Sequence, residues 1–156
     1  MEFLSALHPK VIHFPIALLL TYVLFEVLFI FFKKELFSLT ANYLLVFGVI
    51  AAIAAVLTGN AASQAAETLF ENEGVRIPFG LISEHQTYAT ITQWLFTAIL
   101  VIRLFSTIKK KFKGWIQILV LILALAGTYL IYETGERGGE LVFKHGVGTE
   151  ILKSKK

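Results

Sequence analysis

The sequence predicts an all-α fold: a four-helix transmembrane bundle with both termini outside and an ordered C-terminal extramembrane segment. Three observations carry this. The 156 residues are 56% hydrophobic and 16% charged, against roughly 45–50% and about 25% in soluble domains, and the mean hydropathy is +0.73. The apolar residues gather in four runs, each long enough for a bilayer core, which needs about 20 residues of helix. Lysines gather between runs one and two and between runs three and four. Disorder, a coiled coil and a secreted disulfide scaffold are excluded. The absence of cysteine removes disulfides, thiolate metal sites, iron–sulfur clusters, covalent c-type haem attachment and a cysteine nucleophile. A pI near 9.2 does not imply nucleic acid, because the basic residues flank apolar runs, where they orient a membrane protein.

Taken in order, the helices are expected at about 9–32, 39–66, 83–107 and 115–133, followed by an outer segment 134–156, all in one domain, 1–156. The first apolar run starts at Val11 and stops at Lys33-Lys34-Glu35. Pro9 suits a first helical turn, and Pro15 should kink the helix by removing a backbone bond. This run lacks a basic n-region and a small-residue cleavage site, and it is too long for a signal peptide, so it reads as a retained helix. The second helix carries Gly48 and Ala52, with Ala51, Ala55, Gly59 and Ser63 recurring every four residues. That stripe allows close helix packing in lipid. Ser83 with Gln86 reads as a capping box opening the third helix. Thr90, Thr92 and Gln93 supply hydrogen bonds between helices, and Thr92 shares a face with His85. The fourth run begins at Trp115, and Gly135, Gly138 and Gly139 follow it as an ordered turn region.

Orientation follows from the loops. Lys33 and Lys34 lie between helices one and two; Lys109, Lys110, Lys111 and Lys113 lie between three and four, with Arg103 just before them. Between helices two and three only Arg76 stands against Glu67, Glu71, Glu73 and Glu84. The positive-inside rule puts both lysine loops in the cytoplasm and both termini outside. Lys153, Lys155 and Lys156 oppose this, but about 20 residues past the last span, where the rule weakens.

On this topology the four histidines, His8, His13, His85 and His145, all fall on the outer side. Neutral imidazole is the commonest side-chain metal ligand, and helical bundles build cofactor sites from facing helices. Haem iron accepts axial histidine. With no Cys and Met1 as the one Met, bis-histidine is the ligation open to a six-coordinate haem. His8 and His13 are five residues apart, about 140° around a helix, so one iron should not use both. His13 with His85 is the favoured pair, with His8 and His145 forming a second pair or supporting the first. One or two b haems would fit. Zinc or copper held by three or four of these histidines remains open, as does a structural subunit without a cofactor. The 14 Phe and 5 Tyr and the glycines near His145 (Gly138, Gly139, Gly146, Gly148) suit a flat cofactor, since glycine admits close backbone approach.

The segment Leu7-His8-Pro9-Lys10-Val11-Ile12-His13-Phe14-Pro15 resembles the opening signature, HPxxVHFP, of a bacterial membrane family filed as a domain of unknown function (number 2231). The likeness continues through Gly59 and His85 to Gly138-Gly139-Glu140-Leu141-Val142-Phe143-Lys144-His145-Gly146-Val147-Gly148. Family members carry His-Arg-Trp in helix three, where this chain has His85-Gln86-Thr87. The resemblance implies four helices in a bacterial inner membrane. It also implies a redox setting, because similar domains occur fused to or near c-type cytochrome domains. The signatures contain all four histidines.

Other residues bear on the reading. Glu26, ionisable within a span, is a functional candidate by default, either accepting protons on the cytoplasmic side or packing protonated against Tyr22 one turn away. Arg103 is expected to snorkel to the cytoplasmic surface. Glu67, Glu71, Glu73, Glu84, Glu133, Glu136, Glu140 and Glu150 make the outer surface acidic, suited to steering a soluble c-type cytochrome or other basic redox protein. Association with further copies of the chain stays open. No nucleophile elbow, phosphate loop, glycosidase-type carboxylate pair or HExxH occurs, which argues against a hydrolase. The reading is therefore a membrane-embedded b-type haem protein that carries electrons rather than one that transforms a substrate. Transport is weaker, for want of polar residues at the bilayer midplane.

Overall fold

The computed structural model describes residues 2–149. Glu150, Lys153, Lys155 and Lys156, and Met1, lie outside the described residues. Five helices follow one another: α1 Glu2–Val11, α2 His13–Phe32, α3 Glu35–Glu73, α4 Phe79–Ile108 and α5 Trp115–Phe143. With α1 and α2 forming one rod, four helical spans are long and apolar enough to cross a membrane. The 39 residues of α3 measure about 58 Å at roughly 1.5 Å per residue, nearly twice a hydrocarbon core of about 30 Å. Its acidic end, with Glu67 and Glu71 exposed, is the end unsuited to lipid.

The helices form a ring. α3 packs on α1 and α2, α4 on α3, α5 on α4, and α2 closes the ring against α5. The α1–α2 rod and α4 are thus diagonal partners, with no backbone approach between them. The core is the inner stripe of each helix: Leu19, Tyr22 and Val23 of α2, Leu45, Val49 and Ala52 of α3, Phe96 and Ile99 of α4, Val120 and Ala124 of α5. Leu20, Leu24, Phe47, Trp94, Ile118 and Leu125 point outward, as a lipid-facing surface requires. Small residues set the closest approaches. A methyl group on Gly127 would lie 2.6 Å from the Phe96 ring, so glycine there lets α4 and α5 touch.

Several boundaries differ from those expected, each for a local reason. α1 begins before Pro9, because Glu2 to Leu7 continues the helix; Pro9 is thus inside α1. The effect of Pro15 falls upstream of it: α2 starts at His13, and Ile12 forms a turn between the two helices. A proline ring clashes with the carbonyl four residues back, here Val11, the last residue of α1. A bond from Ile12 N–H to the His8 carbonyl (3.2 Å) bridges the break. α4 starts at Phe79, with no side-chain cap, so Ser83 lies inside the helix and Ser83–Gln86 is not a capping box. Residues 134–143, expected as a separate outer segment, continue α5. Helix propensity disfavours the three glycines there; packing on α4 overrides it. α5 ends where Gly146 takes a positive φ of 70° and its N–H bonds the Val142 carbonyl (3.0 Å), a left-handed C-terminal motif. Leu141 and Val147 then pack with Ala66, Ile77 and Ile82 beneath the α3–α4 loop.

Candidate functional site

Two polar constellations interrupt the apolar interior, one at each end. The first joins His8 of α1 to His85 of α4 across the diagonal. Their ring centroids are 6.4 Å apart, with the planes at 77°. Each ring is held by the helix beside it. Nδ1 of His8 lies 3.1 Å from the Thr58 hydroxyl of α3, and Nδ1 of His85 lies 3.0 Å from the Thr134 carbonyl of α5.

These partners fix the tautomers. A carbonyl only accepts, so Nδ1 of His85 carries its proton. The Thr58 hydroxyl donates its single proton to the carbonyls of Ala54 and Ala55, at 2.9 and 3.0 Å. Its oxygen is left to accept, so Nδ1 of His8 carries a proton as well. In both neutral rings Nε2 then bears the lone pair. This is the state of a metal-ligating imidazole, whose other nitrogen donates to an oriented outer partner. Glycines seat both rings. A methyl group on Gly59 would lie 3.0 Å from Cε1 of His8, and one on Gly138 would lie 3.0 Å from Cε1 of His85. Next to the pair, Thr92 and Thr134 hydroxyls lie 3.4 Å apart. Arg137 covers the Tyr88 ring at 3.9 Å and binds Glu84 and Glu133. Together with Lys144 on Glu140, this neutralises part of the acidic surface.

The other two histidines stay apart. His13 is exposed at the start of α2, and His145 is exposed in the turn after α5; neither makes a ring contact or hydrogen bond with another described residue. His8 therefore replaces His13 as the partner of His85: five residues apart on one rod, the two N-terminal histidines lie about 140° apart around its axis, and His8 takes the inward face while His13 is exposed. A second histidine pair is not assembled. Among the described residues no group of three or more His, Cys, Asp or Glu could hold a metal ion, so the four-histidine cluster expected for zinc or copper does not form.

The second constellation lies at the lysine-loop end. Arg103 of α4 is fully buried and does not snorkel. It pairs with buried Glu26 of α2, again across the diagonal. Its Nε donates to Asn42 Oδ1 (2.7 Å) and its Nη2 to the Ser38 carbonyl (3.1 Å) and hydroxyl (3.2 Å). The Phe112 ring stacks on the guanidinium at 4.4 Å. Glu26 is thus the ion-pair partner of Arg103. The hydroxyl of Tyr22 and Oε1 of Glu26 have no partner among the described residues. The inward turn of Arg103 was legible in its spacing. His85 and Arg103 are eighteen residues apart, five full turns at about 3.6 residues each, so they share one face with Thr92, Phe96 and Ile99.

The model of a family described as a predicted membrane protein (DUF2231) matches residues 4–151. No curated protein and no solved structure matches the chain.

Proposed function

The chain belongs to the DUF2231 family of membrane proteins, and on that footing we propose that it is a b-type haem protein with His8 and His85 as axial ligands. It passes electrons at the outer face of a bacterial inner membrane, exchanging them with a soluble c-type cytochrome or similar protein. The observation that carries this is the ring separation. A metal gripped by one nitrogen of each ring, at about 2.0 Å per bond, would need the ring centres roughly 6 Å apart. The rings stand 6.4 Å apart. Haem also fits the ligand count. Porphyrin fills four positions of the iron and leaves two to protein, whereas a closed zinc site wants four protein ligands. When bound, haem would supply one-electron chemistry. The protein would supply tautomer control through Thr58 and Thr134, clearance through Gly59 and Gly138, and apolar walls.

The test is the visible spectrum of the purified protein, with haemin added where needed. Dithionite should raise a sharp α-band that is lost in His8→Ala and in His85→Ala but kept in His13→Ala and in His145→Ala. A protein that takes up no haemin, or a band that survives His8→Ala, overturns the reading.

A further inference from the structure

A groove of about 370 Å³ opens sideways between α3 and α4, lined by Asn60, Ser83, Gln86, Thr87, Thr90 and Ile91. We propose that it binds the head group of a membrane quinol or quinone, and that the quinol is an electron donor to the iron held by His8 and His85. This rests on the haem reading above.

Three features point there. The groove flanks the histidine pair: Asn60 follows Gly59, the seat of His8, and Gln86 follows His85. Gln86 Nε2 reaches Asn60 Oδ1 at 3.4 Å, joining the two walls. The lining is wholly uncharged, two carboxamides and three hydroxyls beside one isoleucine. Such a set suits a neutral molecule with oxygen donors and acceptors, and it offers no counter-charge to a phospholipid head group. The Ser83 and Thr90 hydroxyls make no hydrogen bond with another described residue, which leaves them free for a ligand. Thr90 lies eighteen residues before Ile108, about 27 Å along the helix. This places the groove near the far edge of a core of about 30 Å. Away from that edge α4 continues with exposed Ile91, Trp94 and Val101, a surface on which an isoprenoid tail can lie. Head group and histidines are then separated by little more than one helix, roughly 10 Å across.

The redox step balances. A quinol becomes a quinone by losing two electrons and two protons. An iron held by His8 and His85 would accept the electrons singly, and a one-electron acceptor protein on the outer face would remove the first before the second arrives. Both protons pass to water at the groove mouth.

A Trp115→Phe background leaves Trp94, one turn from Thr90, as the sole tryptophan. Haem-free protein in lipid nanodiscs is titrated with a short-tailed naphthoquinone while Trp94 fluorescence is followed. Saturable quenching is expected. Gln86→Leu combined with Thr90→Val should raise the half-saturation concentration about tenfold, as expected for two lost hydrogen bonds. In haem-loaded protein the same double variant should slow reduction by the matching quinol about tenfold, with the dithionite spectrum unchanged. Quenching that rises without saturation and equally in the variant is partition into lipid, and it overturns the proposal. Saturable quenching in a protein that takes up no haem overturns the haem reading and electron donation while leaving the quinone site standing. A normal α-band with no reduction by quinol overturns donation alone.

Discussion

The two ends of the bundle use the same device for different ends. At each, a side chain from the first rod crosses the interior to meet one from α4, and in both rods the crossing residues are eighteen apart: His8 and Glu26, His85 and Arg103. At the lysine-loop end the crossing is closed. Both charges are fully buried, and the guanidinium is engaged by Glu26, Asn42, Ser38 and Phe112. At the histidine end both rings are only partly buried; each is tied by one nitrogen, and the other is left with a lone pair. A buried, charge-paired cluster fixes which helices face each other. A partly exposed pair of imidazoles with free lone pairs is equipped to take a ligand. The comparison teaches that neither burial nor a spare polar atom marks the functional end, since Tyr22 and Glu26 also keep one; what marks it is ligand-type nitrogens within reach of the surface.

Four changes would break or sharpen this contrast. The largest effect on stability is expected from Arg103→Met, which strands the Glu26 carboxylate. Breaking a buried pair on one side costs about 3–5 kcal/mol, readable as a lowered unfolding midpoint in detergent. Adding Glu26→Leu should recover most of it; a double variant no better than the single would show that the pair does more than neutralise itself. Next, Gly127→Ala puts a methyl group against Phe96 and should cost about 1–3 kcal/mol of overpacking strain in the same assay, with the haem spectrum unchanged. His8→Ala reverses the pattern: without haem it gives up one hydrogen bond, about 1 kcal/mol, yet it should abolish the α-band. The smallest effect is expected from Gly138→Ala. Its methyl at 3.0 Å from Cε1 of His85 should shift the ring by a few tenths of an ångström and weaken haemin retention in a chase with apomyoglobin, with the midpoint unchanged. Retention equal to that of the native chain would remove Gly138 as a seat.

Much of the fold could be read directly. Four apolar runs dictate four spans, and lysine blocks mark their connections. The helix ends were harder, because tertiary packing decided them: Gly135, Gly138 and Gly139 look like a turn by propensity but lie inside α5. At the site, residue type was informative and pairing was not. His8 and His85 were among the candidates, and the spacing showed that His8 and His13 face different ways; which of the two faces inward was not in the sequence, because packing on α3 decides it. Thr58 and Thr134 were invisible as tautomer-setting partners, since their function exists only once α1 lies on α3 and α4 on α5. For Arg103, a snorkelling reading weighed its nearness to the lysine loop and ignored the shared face with His85.

The continuous course of the first rod also ties the two poles together. Ile12 keeps right-handed helical angles (φ −59°, ψ −26°) and its N–H still bonds the His8 carbonyl, so Pro15 leaves the rod in one piece. His8 and Glu26 therefore sit on a single lever, and the salt link at one pole sets the angle at which the imidazole is presented at the other.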